Sequence, residues 1–213
     1  MGKKVEAITI QPIVKTTIIV TIAGDSDLIC NQMNAVTKRK LTIERENKAK
    51  GNVEVNEWEE VITSVHWLNG TPTNFSEEGL KDALKNNKPC VTAFGFKKSL
   101  GDTVVRNEID KYKTKFDASV NIIGEGDNLI PFTFAEYHLD KKLMSPKKGA
   151  PVLVKLNRFS GWKADVKVQF IEGGVYSTEQ IVNIINMAGF GMGIGSGRSS
   201  GYGRYHVESV RAI

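Results

Sequence analysis

"GFGMGIGSGRSSGYGRYHV", residues 189–207, holds seven of the chain's twenty glycines in fifteen positions and ends in an aromatic, basic, β-prone tail. What precedes it decides how it is read. Ser177-Thr178-Glu179-Gln180 has the S-x-x-Q form of a capping box, and Ile181, Ile184, Ile185 and Met187 or Ala188 recur behind it at helical spacing. The spacing predicts a helix ending at Gly189, and Tyr205 to Val210 alternates as a strand. Nucleotide-binding glycine loops follow a strand and open a helix, so that phosphate meets the helix N-terminus. Here the order is reversed and no GxxxxGK[ST] is present, so dinucleotide-fold and P-loop readings both fail.

Upstream, PVLVKLNRF (151–159) and WKADVKVQFI (162–171) read as strands separated only by Ser160-Gly161, the connection of an antiparallel pair. Residues 5–23 are rich in Ile, Val and Thr around a Gln11-Pro12 interruption, with a central strand expected from Ile18 to Ala23 and a break at Gly24-Asp25-Ser26-Asp27. Ser76 is the expected N-cap of a helix running to Lys85. In FGFKKSLGDTVVR, Phe94, Leu100, Val104 and Val105 set an apolar stripe opposite Lys97, Lys98 and Arg106, which predicts an amphipathic helix with a basic face. Alternation around Gly124-Glu125-Gly126-Asp127 predicts a β-hairpin within 114–138, and Lys141 to Lys148 reads as a basic loop. Residues 29–91 read as a helical or irregular, strongly cationic insertion.

The whole chain, 1–213, reads as one domain of α+β class, with 40% apolar and 25% charged residues as in soluble globular proteins. A formal charge of +5 permits a polyanionic partner without requiring one. Cys30 and Cys90 form no CxxC pair, so a reduced, cytoplasmic protein is expected, with no cofactor. The N-terminus lacks the apolar core of a signal peptide, and no stretch is long enough to span a membrane.

Seven glycines let backbone amides approach phosphate closely, with Arg198, Ser199, Ser200 and Arg204 supplying charge and hydroxyls beside Gly193, Gly195 and Gly197. The alternative is a glycine-rich helix end and tight crossover packed on the fold.

The helix, the glycine loop and the final strand resemble the C-terminal signature of the RAMP superfamily, RNA-binding proteins of CRISPR systems with ferredoxin-like, RRM-like folds. Phe94 to Arg106 resembles the basic helix start of RAMP backbone subunits. A nearer likeness is to stand-alone RAMP-like proteins of bacteriophages, carried by Phe94-Gly95-Phe96-Lys97, by Arg158-Phe159-Ser160-Gly161-Trp162, and by Ala188 to Gly195 followed by Arg198 and Gly203-Arg204-Tyr205. The resemblance implies a ferredoxin-like antiparallel core that binds RNA or single-stranded DNA without strong base specificity, with copies assembling as an oligomer or filament along a strand. It also implies the cytoplasm of a bacterial host.

On this reading the loop and Arg198 and Arg204 hold phosphates, and Lys97 and Lys98 extend the groove. Arg158, Phe159 and Trp162 stand in the strand pair where RRM-type proteins stack bases. Trp162 has a second reading, as a core residue, because one residue of register sends it to the opposite sheet face. His66, His138 and His206 are the only candidates for a metal-independent ribonuclease; His66, between Val65 and Trp67, also reads as a structural histidine. Asp25 and Asp27 read as turn residues or metal ligands. No catalytic set is announced, and a protein-binding assembly or anti-defence module on the same scaffold is the other class of function.

Overall fold

The computed structural model describes residues 12–47, 53–144 and 151–213. The expected strand residues 5–11, the end of the cationic stretch at 48–50 and the basic loop residues 145–148 lie outside them.

Two helices and four strands form the frame. β1 (Lys15–Gly24) lies between β10 (Tyr205–Ala212) and β9 (Lys163–Ile171), and β9 pairs on its far side with β5 (Val120–Ile123), every pairing antiparallel. The helices α4 (Ala93–Arg106) and α6 (Thr178–Gly191) connect β1 toward β5 and β9 to β10. The spatial order of the four strands is thus last, first, third, second, two interleaved βαβ units, which is a ferredoxin-like core. Alternation assigns the faces: Ile18, Val20 and Ile22 of β1 and Ala164, Val166, Val168 and Phe170 of β9 turn to the buried side. Ile181, Ile184, Ile185 and Ala188 of α6 and Phe96, Leu100 and Val104 of α4 complete that core.

The capping box forms as the sequence predicts, with Gln180 N donating to Ser177 Oγ and Ser177 N to Gln180 Oε1. Ser76 caps α3 (Glu77–Asn86) by accepting from Gly79 N. The apolar stripe of α4 differs from expectation. Its buried large side chains are Phe96, Leu100 and Val104, while Phe94 and Val105 face solvent.

The 29–91 segment supplies α1 (Ala35–Asn47), α2 (Glu57–Thr63) and α3, together with strands that sequence reading left out. β3 (His66–Trp67) and β4 (Pro89–Thr92) extend the main sheet through β6 (Leu129–Thr133), and β2 (Leu28–Cys30) joins a second, three-stranded sheet of order β2-β8-β7. Here β7 is Glu136–Met144 and β8 is Val152–Ser160.

Two further expectations are corrected. The 114–138 hairpin does not form: α5 (Lys113–Ser119) occupies its start, and β5 and β6 lie end to end along β9, at Val120↔Phe170 to Ile123↔Lys167 and at Phe132↔Ala164. Asn128, at φ 61°, accepts from Gly124 N through its side chain and closes a compact turn that redirects the chain. β8 and β9 likewise do not pair with each other. The chain turns a corner at Gly161, φ 60°, and passes from the small sheet into the middle of the large one.

Candidate nucleic-acid interface

The glycine loop leaves α6 with Met192 N and Gly193 N both donating to Ala188 O. It then folds on itself and on the β1–β2 connection. Ile194 N donates to Gly203 O, Ser196 N to Ile29 O and Gly203 N to Asp27 O, while Asp25 N reaches Arg204 O at 2.8 Å. Close approach explains much of the glycine content: a Cβ on Gly203 would sit 1.9 Å from Ile194 O, and one on Gly195 2.6 Å from Ile29 O. These residues serve packing, the alternative the sequence left open.

The outer part of the loop is different. Gly197, in the left-handed region at φ 71°, precedes a 3-10 turn at Arg198–Ser200. A left-handed residue followed by a right-handed one turns successive amides to one side, a concavity suited to an anion. The amides of Gly195, Gly197, Arg198 and Ser199 make no hydrogen bond among the described residues, and Ser199 and Ser200 are exposed.

Beside this turn opens a cleft of about 220 Å³, walled by Ile29, Ser196 and Arg198 on the loop side and by Thr92, Gly95 and Lys98 at the start of α4. Thr92 Oγ1 caps α4 by accepting from Gly95 N, so the positive end of a 14-residue helix faces the same space. No carboxylate among the described residues lines the cleft. Among the described residues neither Lys98 nor Arg198 forms an ion pair. His66 and Cys90 lie deeper. Burial, helped by the charge of Lys38, holds the His66 imidazole below its ordinary pKa and so neutral at pH 7. Burial pushes the Cys90 thiol up to about 12 and raises Cys30 as well, which removes both as nucleophiles.

The other expected ligands sit elsewhere. Phe159 is fully buried among Phe132, Phe134 and Tyr137, with ring centroids 5.0–5.3 Å away. Trp162 is equally buried, its Nε1 donating to Ser26 O at 2.8 Å, so the core reading of this residue holds and neither ring offers a face for stacking. Alternation placed both on strands, but the corner between them resets the phase and turns both inward. Arg158 is held by Asp27 and Asp140, and Lys97 Nζ donates to Asp117 O, bracing α4 against α5. Arg204 turns toward the loop: Nη2 donates to Arg198 O at 3.3 Å, and Nη1 is shut off from solvent with no acceptor among the described residues. Gly193 is buried. Lys98, Gly195, Gly197, Arg198, Ser199 and Ser200 are thus brought together at one surface, while Arg158, Phe159, Trp162, Lys97 and Arg204 belong to its supports or to the core.

Asp25 pairs with His206 Nδ1 at 2.6 Å, and His138 meets Glu136 at 3.3 Å. Among the described residues no three His, Cys, Asp or Glu side chains converge as metal ligands. No helix among them is long and apolar enough to cross a membrane. The open face of the main sheet carries Thr17, Ile19, Thr21, Lys163, Asp165, Lys167 and His206, with no Phe, Tyr or Trp ring among the described residues and with Asp165 paired to Arg211 and Lys163 to Glu208.

Fold and site together define an α+β protein of ferredoxin-like core with a cationic cleft at the loop between its last helix and last strand. The sequence matches no protein-family model and no curated protein. Among solved structures, the chain aligns with one in the cryo-electron microscopy structure of the Type III-B Cmr-beta complex bound to cognate target RNA, at a TM-score of 0.47 and 11% identity over 93% of this chain. It spans 61% of the length of that chain. It also aligns with Cmr6 from Pyrococcus furiosus at a TM-score of 0.37 and 14% identity, covering 92% of this chain and 100% of that one.

Proposed function

We propose that the protein binds single-stranded nucleic acid, RNA in the first place, by its sugar–phosphate backbone. One observation carries this reading: among the described residues the cleft has no carboxylate in its walls, and it is rimmed by two cations with no ion-pair partner and by loop amides with no acceptor. Such groups are satisfied by phosphate oxygens, and the helix N-terminus adds to the attraction. Base identity contributes little, because none of these groups reads a base edge. Copies of the chain follow one another along a long strand, each covering a short stretch of backbone.

The test is fluorescence anisotropy with a labelled single-stranded oligonucleotide over a salt series. Log affinity falls linearly with log salt, with a slope of about 0.7 for each neutralised phosphate. Lys98→Ala with Arg198→Ala weakens binding and flattens that slope by about one to two. An affinity and slope equal to those of the unaltered chain would overturn the assignment.

His66 favours a second reading, a metal-independent ribonuclease, because a neutral imidazole stands in the same cleft. Its signature is RNA cleavage that needs the 2′-hydroxyl, persists in a chelator and is lost in His66→Ala.

A further inference from the structure

We propose that Phe94 and Phe190 form a stacking platform for unpaired bases of the strand whose phosphates occupy the cleft, an inference that rests on the reading just given. All nine phenylalanines lie in described residues, and only these two are exposed, at 74% and 88%. Water is a poor place for a phenyl ring, and neither ring adds to the core.

Their positions are set by the fold. β1 and β9 are antiparallel, so the helices that follow them run in opposite directions, and the start of α4 lies beside the end of α6. Tyr205 holds those two ends together. It stacks on Phe96 of α4 at 6.0 Å between centroids, and it lies so close to α6 that a Cβ on Gly189 would meet Tyr205 O at 2.0 Å. Phe94 stands two residues before Phe96 and Phe190 one after Gly189. Both rings therefore belong to the end of the molecule at which the cleft opens.

Charge selects the occupant. Phe94 and Lys98 are four residues apart on α4 and share a helix face, so a flat apolar surface stands beside a cation that lines the cleft and has no ion pair among the described residues. Flat apolar rings joined to regularly spaced anions describe a single strand with unpaired bases; a duplex hides its base faces. The open face of the sheet offers no alternative, having among the described residues no Phe, Tyr or Trp ring and only the imidazole of His206, which is tied to Asp25. Stacking on phenyl rings tolerates any base, in keeping with a site that reads none.

The experiment compares two single-stranded oligonucleotides of equal length, one carrying 2-aminopurine among its bases and one abasic at the same positions. The unaltered protein binds the base-bearing strand more tightly and quenches 2-aminopurine. Phe94→Ala with Phe190→Ala loses about 5- to 100-fold in affinity for that strand and loses the quenching, yet keeps the salt slope and the melting temperature. Phe94→Trp with Phe190→Trp restores both affinity and quenching. Salt-dependent binding in which the alanine variant still prefers and quenches the base-bearing strand overturns the platform and leaves phosphate binding standing. A change of sedimentation coefficient in the alanine variant with quenching intact overturns it in favour of a protein contact. No salt-dependent binding of either strand by the unaltered protein overturns the platform together with the reading beneath it.

Discussion

Arg158 Nη1 lies 2.5 Å from Asp27 Oδ2, and Asp27 in turn accepts the amide of Gly203 on its backbone carbonyl. A strand of the small sheet thereby fixes the connection on which the glycine loop is clamped. Asp140 holds the other side of the guanidinium, Oδ2 at 2.9 Å from Nε, so the cation is clasped between two carboxylates.

Removing Arg158 therefore takes from the partly buried Asp27 its cation and leaves Asp140 only Lys142 Nζ, 3.9 Å from its Oδ2. Arg158→Ala lowers stability by about 1–3 kcal/mol, a value tempered by the partial exposure of all three groups. Burial alone would raise the Asp27 carboxyl, but the hydrogen bonds of Arg158 and Ser160 and the Arg158 charge outweigh it and hold it below the usual carboxylate range. A depressed acid stabilises the fold above its unfolded-state pKa, near 4, and that contribution disappears as pH falls through the folded value. Urea titrations across pH 2–7 check the expectation: the gap between variant and parent is full above about pH 4 and narrows below it.

Gly203 and Gly201 separate steric need from backbone preference. Both have positive φ, 70° and 86°, but a Cβ on Gly203 meets Ile194 O whereas one on Gly201 meets nothing within 4 Å. Gly201→Ala costs about 1–2 kcal/mol for the left-handed conformation alone. Gly203→Ala costs about 2–5 kcal/mol, since the loop must also move. Equal midpoints for the two variants in denaturant would contradict the packing role of Gly203.

His66 supplies a pH test of the cleft. Its imidazole titrates below the ordinary value near 6.5, so the unfolded chain takes up the proton first and stability declines as pH drops through that region. Imidazole resonances followed by NMR place its midpoint below 6.5, and His66→Gln removes part of the stability loss between about pH 6.5 and 5. A midpoint at or above the ordinary value would mean that the side chain is solvated.

The helices were legible because their signals are local. The S-x-x-Q box and the isoleucine spacing of α6 lie within a few turns of one another, and Ser76 needs only its own helix. The sheets were less legible because membership depends on distant partners. Nothing within PVLVKLNRF says that it pairs with Leu28–Cys30 and Glu136–Met144 rather than with the strand three residues on. Phe159 and Trp162 illustrate the cost of that ambiguity: two-residue alternation assigns a face only while the strand stays straight, and Gly161 bends it between them. At the candidate site Lys98 and Arg198 could be named from sequence, while Phe94 was misassigned to the buried stripe. Two phenylalanines in a row of three residues leave the helical phase undecided until Phe96 is found against Tyr205.

The corner at Gly161 has a mechanical consequence. β9 is hydrogen-bonded to β1 on one side and to β5 and β6 on the other, and a single short bend ties it to the long β7–β8 ribbon. Leverage applied to that ribbon therefore passes through one bend into a strand bonded to three others, so the corner couples the small sheet directly to the large one.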